Sequence, residues 1–528
     1  MKDVARRVAA TMLAKCGVIV ILAHDRNQQG LDRRSVLLAA ALTLSAITTD
    51  VRGQSGIAAA NGKTPMKTTG ADIEGRIQRV LAGLRPPIGF AGQPLATLAD
   101  RMTALHVCGV SVAVIHNGSI EWARGFGLTT NDCHAIGPDT LFQAGSISKP
   151  VAAMAVLALV QAGRLDLDAD VNSYLRSWKV PANSYTDKEK VTLRQLLSHS
   201  AGTTVHGFAG YEAGTPVPTL IEVLNGVPPA NNPPIVVDQR PGVRFRYSGG
   251  GYTIVQQLLI DVTGKPFAEL LDEMVLAPLG MTRTSYRQPL PAGELGNAAM
   301  PHTVTGDPVA GGPHIYPELA AAGMWTTPTD LARFDLALLD AWAGRPMPVL
   351  SQPAVIQMLT PGLGNYGLGL IVRSSPPHRR FGHDGVNAGF ISSMIAGETG
   401  DGAIVMTNGD QGDVLVAEIM QSIAAEYQWP DWVRKERKLA TIDPRLLDRF
   451  TGNYRLNPTT VLHISNEGGN LFSQATGQAK FQLFPQSDRD FFTTAFDSVF
   501  TFDTDGSTDA QRLTIHQDGQ DYRARRIP

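Results

Sequence analysis

Two hydrophobic periods alternate along most of the chain. Ile73 to Leu84 carries apolar residues at helical spacing until Pro86-Pro87 stops it, and Leu95 to His106 predicts a second helix. Val110 to Ile115 and Ile120 to Gly125 alternate as strands. Asn117-Gly118 between them predicts a tight hairpin, because both residues tolerate the left-handed backbone such a turn needs. Ser146 to Ala162 is apolar on every face, which predicts a central, buried helix; Pro150 fits only its first turn, and Gly163 its C-cap. Helices are also predicted at Leu193 to His199, Tyr252 to Val262, Phe267 to Val275, Thr329 to Leu339 and Val414 to Tyr427. Strand pattern appears within Met358 to Val372, at Phe381, and over Gly389 to Ile395 and Ala403 to Thr407. Thr203 to Arg244 is long and rich in Pro, Gly and Asn; such a stretch either shapes a binding site or is a solvated excursion.

Past Trp429-Pro430-Asp431-Trp432 and the charged run Arg434 to Lys438, which read as a linker, the pattern changes. Seven short alternating segments, the first at Val461 to Ser465 and the last at Tyr522 to Arg525, predict a small antiparallel barrel. The expected organisation is therefore a leader over residues 1–60, a mixed α/β domain over 75–430, and an all-β domain over 440–528. In the leader, Arg33-Arg34 precedes an apolar stretch from Val36 to Ile47, and small residues follow. That order resembles a twin-arginine export signal, which makes export the expected fate.

Composition narrows the function. A net charge of -2 over 528 residues gives no electrostatic case for nucleic acid or an anionic membrane. Beyond the leader no apolar run reaches the length of a membrane span. Cys16, Cys108 and Cys133 form no zinc-type cluster, so no metal site is expected. Cys108 and Cys133 flank the predicted hairpin, as a disulfide or as two buried thiols.

The candidate chemistry sits at the head of the buried helix, in Gly145-Ser146-Ile147-Ser148-Lys149-Pro150. Residues three apart share a helix face. A serine hydroxyl is a weak nucleophile until a partner holds or takes its proton. Lysine can do that if burial lowers its pKa, and the apolar run behind Lys149 supplies burial. Taken alone, the same two residues also fit a helix N-cap serine and a solvated lysine.

Later segments decide between these readings. Tyr247-Ser248-Gly249-Gly250-Gly251-Tyr252 puts a phenol at a glycine-rich bend before a helix, and His383-Asp384-Gly385 precedes a strand. With Leu196-Leu197-Ser198-His199-Ser200-Ala201-Gly202 between the first motif and the second, the order resembles the serine β-lactamase and penicillin-binding-protein superfamily, in its class C and esterase branch. The C-terminal segment resembles the lipocalin-like barrels appended to some of these hydrolases. The resemblance implies an antiparallel sheet flanked by helices, a helical subdomain, and a cleft between them. It implies Ser146 as nucleophile, Lys149 and Tyr247 as its proton partners, and the backbone N–H groups of Ser146 and Val386 as the oxyanion hole. No metal or cofactor is needed.

Two departures from the family pattern bear on substrate. Gly249 stands where many relatives carry Asn, so no side-chain amide is available to a substrate amide. His383 stands where many carry Lys; a neutral imidazole could donate one hydrogen bond but offers little charge. Both tilt toward esters or uncharged amides. The implied partner is a small-molecule or peptide-like acyl substrate. A β-lactamase, a D-alanyl-D-alanine carboxypeptidase or a D-aminopeptidase is the alternative within enzymes, and a non-catalytic ligand binder is the alternative outside them. No G-x-S-x-G nucleophile elbow occurs in the chain.

Overall fold

The computed structural model describes residues 70–130, 134–373, 378–458, 460–476, 480–504, 508–517 and 520–528. The expected leader, Cys16 and Cys133 lie outside the described residues.

The core of the larger domain is a six-stranded antiparallel sheet built from β2 (Gly109–His116), β3 (Ser119–Gly127), β4 (Ile371–Arg373), β5 (Arg380–Asn387), β6 (Phe390–Gly397) and β7 (Gly402–Thr407), in the order β3-β2-β7-β6-β5-β4. The β2–β3 turn forms at Asn117 and Gly118, both left-handed at φ 51° and 70°. Strand alternation then sorts side chains between two layers. Val110, Val112 and Val114 face helices α1 (Gly70–Ala82) and α7 (Gly412–Glu426), where Ile77, Leu415 and Ile419 meet them. Ala113 and Ile115 face the larger core, which includes α3 (Ser148–Gln161), α5 (Gly249–Thr263) and α6 (Pro328–Trp342). Two shorter helices, α2 (Leu98–Ala104) and α4 (Leu193–Leu197), each begin with a threonine capping box. Among the described residues no helix is long and apolar enough to cross a membrane.

The segment expected to be strand over Met358 to Val372 is mostly not. Gln352–Met358 is helical and only Ile371–Arg373 pairs. The physical reason lies at Gly369, whose φ is 97° and whose Cα hydrogens press on α3. A Cβ there would stand 2.7 Å from that of Ala153. Close approach to α3, rather than strand pairing, sets this backbone.

Eight strands close the C-terminal barrel: β9 (Gly452–Arg455), β10 (Val461–Glu467), β11 (Asn470–Ala475), β12 (Lys480–Pro485), β13 (Asp490–Phe492), β14 (Ser498–Asp503), β15 (Arg512–Gln517) and β16 (Gln520–Ile527). The strand that the sequence pattern did not reveal, β9, is the closing one; it pairs with both β10 and β16. Tyr454, Leu462, Phe491 and Phe502 fill the interior.

The stretch expected to be a plain linker is bound along its length. Trp429 N–H donates to Ala424 O at 2.8 Å. The carboxylate of Asp431 accepts from Nε of Arg380, the first residue of β5, at 3.0 Å. Arg380 is almost fully buried, and its guanidinium stacks 4.3 Å from the Trp429 ring centroid. Trp432 lies similarly under Arg373. Lys435–Arg437 then forms β8, paired in parallel with β1 (Ile88–Phe90), and the Phe90 ring packs 5.0 Å from that of Phe484 in the barrel. Apolar and ionic contacts therefore strap the barrel's lead-in to the back of the sheet.

Candidate active site

The Gly145–Ile147 turn is made by geometry that only glycine permits. Gly145 has φ 52°, and a Cβ there would stand 2.5 Å from Val386 N. Gly145–Ile147 winds as a single 3₁₀ turn that runs directly into α3, so Ser146 and Lys149 project from one face. Lys149 Nζ donates to Ser146 Oγ at 2.9 Å and to Ala321 O at 2.8 Å. Burial in the surrounding apolar layer pulls its pKa down to about 7. Ser148, between them, serves the backbone: its hydroxyl donates to Gly145 O at 2.6 Å and accepts from Met324 N–H.

Tyr247 stands in the bend before α5, where Ser248 caps the helix by accepting from Gly251 N–H. Its phenol hydrogen-bonds Ser146, and burial raises the phenol's pKa. Lys149 Nζ lies 5.0 Å from its ring centroid. His199 and His206 pack against the same ring, with centroids at 4.2 and 4.8 Å. His199 Nδ1 accepts from Ser248 N–H at 3.1 Å, so its proton sits on Nε2. Burial first, and the neighbouring Lys149 second, lower both imidazoles; His206 falls to about 4.

Strand β5 forms the opposite wall. β4 pairs only with Arg380–Gly382, and beyond that point the Gly145–Ile147 turn lies against β5. The approach is so close that a Cβ on Gly385 would fall 1.9 Å from Ala144 O. Val386 N is thereby brought beside Gly145, next to Ser146. His383 occupies this wall with both ring nitrogens engaged. Nδ1 donates to Asp384 O at 2.6 Å, and Nε2 accepts from the Tyr366 hydroxyl at 2.8 Å. The ring is buried, which lowers its pKa to about 3. The hydrogen bond expected from this imidazole to substrate therefore meets a donor already used within the protein. Asp384 points elsewhere, with Ser393 and Arg373, and burial raises its pKa.

Ser146, Lys149, Tyr247, His383, Gly385 and Val386 thus come together around one point. Gly249 lies one step further out, beneath His206 and Phe208. Sequence reasoning missed Ala321, the carbonyl partner of Lys149, and Tyr366, the partner of His383. It also missed His206, which lies inside the Pro- and Gly-rich excursion. None had a periodic signal; Tyr366 had only the glycines around it. Glu318 was missed as well. It precedes the turn that presents Ala321 O, and burial pushes its carboxyl up to about 8.

Residues 96–426 match the β-lactamase family, and residues 436–526 match a domain of unknown function, DUF3471. The chain belongs to the β-lactamase family. A penicillin-binding protein of Bacillus subtilis is 22% identical over 458 residues, covering 81% of this chain and 97% of its own. The octameric penicillin-binding protein homologue of Pyrococcus abyssi superposes with a TM-score of 0.56 at 22% identity, over 81% of this chain and 98% of the other. The D-amino acid amidase of Ochrobactrum anthropi does so with a TM-score of 0.52 at 22% identity, over 68% and 99%. These two likenesses show the fold. Family membership makes this protein a hydrolase of the serine β-lactamase and penicillin-binding-protein type, with an eight-stranded barrel appended.

Proposed function

We propose that this β-lactamase-family hydrolase cleaves uncharged esters or amides through an acyl-enzyme on Ser146. The observation that carries the reading is the buried Lys149, 2.9 Å from Ser146 Oγ, with a pKa near 7. The lowered pKa lets Lys149 supply the free amine at neutral pH, able to accept the hydroxyl proton as Ser146 Oγ attacks the carbonyl. Tyr247 shares that proton and delivers it to the leaving group. The N–H groups of Ser146 and Val386 receive the developing oxyanion. Water then attacks the acyl-enzyme by the reverse proton path.

The preference for uncharged substrates rests on the charges present. Lys149 is committed to Ser146 and Ala321, and His199, His206 and His383 are all held neutral. Among the described residues at this site no fixed cation stands ready for a substrate carboxylate, which disfavours the β-lactamase and D-alanyl-D-alanine carboxypeptidase alternatives.

The test joins trapping to pH. Intact mass should show an acyl adduct after exposure to neutral activated esters, and kcat/KM for such an ester should rise from pH 5.5 to 8.5 with a midpoint near 7, the value for Lys149. Below that midpoint Lys149 is protonated and cannot accept, so the rate falls toward tenfold per pH unit. His206 and His383 are neutral throughout this range and add no second limb. A flat profile between pH 6 and 8 would remove Lys149 as the base. We further read the protein as exported, on the strength of Arg33-Arg34 and the apolar stretch after it. N-terminal sequencing of secreted protein should find a start before residue 62, and recovery of only the full-length cytosolic form would oppose export.

A further inference from the structure

The excursion between α4 and α5 does not stay in solvent. Its first part, Gly202 to Phe208, is bolted to the bend that carries Tyr247. Gly249 N–H donates to His206 O at 2.9 Å, and Gly250 N–H to Val205 O at 3.0 Å. The Ser248 hydroxyl donates to Thr204 O at 2.7 Å, and Arg246 Nη2 to Gly202 O at 2.8 Å. The two glycines are what let the segment lie so close. A Cβ on Gly250 would stand 2.6 Å from Thr204 O, and one on Gly249 would stand 3.0 Å from the Phe208 ring and 3.1 Å from His206 O. Val205 is held at φ 61°, a left-handed conformation that a β-branched residue adopts only under constraint. Such strain persists where the surroundings over-determine the backbone, and here they fix the two side chains that follow.

Those side chains lie beside Tyr247 and Gly249. The His206 ring packs on Tyr247, and its Nε2 is buried without a hydrogen-bond partner. Phe208 covers the Cα of Gly249, two residues from the phenol that bonds Ser146. Further out, Phe245 continues the aromatic surface: it is more than a third exposed and packs on His199 and Tyr366. The flank beside Tyr247 therefore offers ring faces and an uncharged imidazole, and no carboxamide.

We propose that Phe208 is a specificity-determining residue that selects an apolar, preferably aromatic, acyl group and rejects one carrying an acylamino substituent. This rests on Ser146 being the nucleophile, as proposed above. An amide N–H and C=O placed against Phe208 would lose water without gaining partners, whereas an aromatic ring gains contact there.

Two 4-nitrophenyl esters of similar size and identical leaving group test it: phenylacetyl and N-acetylglycyl. Wild type is expected to favour phenylacetyl in kcat/KM by about tenfold or more, within the range one pocket contact gives. Phe208→Ala should reduce that ratio by about tenfold, while Phe208→Leu, which keeps the apolar volume, should retain most of it. Phe208→Ala combined with Gly249→Asn, which frees the space and adds an amide, should turn the preference toward N-acetylglycyl. An unbiased wild type, or a ratio unmoved in Phe208→Ala and in the double variant, overturns the proposal. Labelling of Ser146 by a fluorophosphonate separates the two levels. Unlabelled wild type refutes the Ser146 reading itself, whereas normal labelling with unmoved selectivity refutes only the role of Phe208.

Discussion

Ser146→Ala is expected to abolish fluorophosphonate labelling and to lower kcat for any ester substrate by about ten-thousand-fold or more. The size follows from what one atom does. Ser146 Oγ is the acceptor of the Lys149 amine, the partner of the Tyr247 phenol and the attacking group in the proposed reaction. Residues that act as a unit lose nearly everything when one is removed, and what remains is binding and oxyanion stabilisation. The substitution should leave the fold intact, because the turn is held by Gly145 and by the Ser148 hydroxyl, not by Ser146. Intact mass before and after labelling, with kcat from initial rates, measures it. Full-stoichiometry labelling of the variant would move the nucleophile elsewhere.

Asp431→Ala should destabilise the protein by about 3 kcal/mol. Arg380 is almost fully out of water, and Asp431, only one-fifth exposed, is the carboxylate that pairs with it. Removing the carboxylate leaves a guanidinium whose remaining compensation is the Trp429 ring. The cost of an uncompensated buried charge exceeds what the pair itself contributes, so the effect should be several times that of breaking a surface bridge such as Arg445–Asp443. Urea unfolding with unchanged m would report it, and a loss below about 1 kcal/mol would mean that water reaches Arg380 readily.

Much of this architecture was legible because its signals are local. The Ser146/Lys149 spacing, the Asn117-Gly118 turn and the uniform apolarity after Pro150 each carry their own physical reason. What escaped were features that depend on distant partners. β9 is four residues long and alternates poorly; it is a strand because two neighbours with free edges meet there. Asp431 lies in a Trp- and Pro-rich stretch that looks like a solvated connector, and nothing local shows that a buried arginine some fifty residues earlier needs it. His383 looked like a donor for substrate because the sequence does not show its Nδ1 turning back to Asp384 O while Tyr366 reaches its second nitrogen. Phe208 sat in a stretch whose composition marks irregular backbone, where no period can say which side chains turn inward.

The parallel pair β1–β8 has a consequence for how the chain is made. β1 emerges before the sheet, α3 and α7, yet its strand partner Lys435–Arg437 follows all of them. During synthesis the segment around Ile88 and Phe90 must therefore wait, with apolar side chains uncovered, until nearly the whole domain has left the ribosome. Closing so long a loop is slow compared with forming the β2–β3 hairpin. The join is thus a late event, and the barrel, which packs on Phe90, matures onto a domain that is otherwise complete. A nascent chain halted short of residue 435 would lack the strand that pairs with Ile88–Phe90 and would leave that seam open.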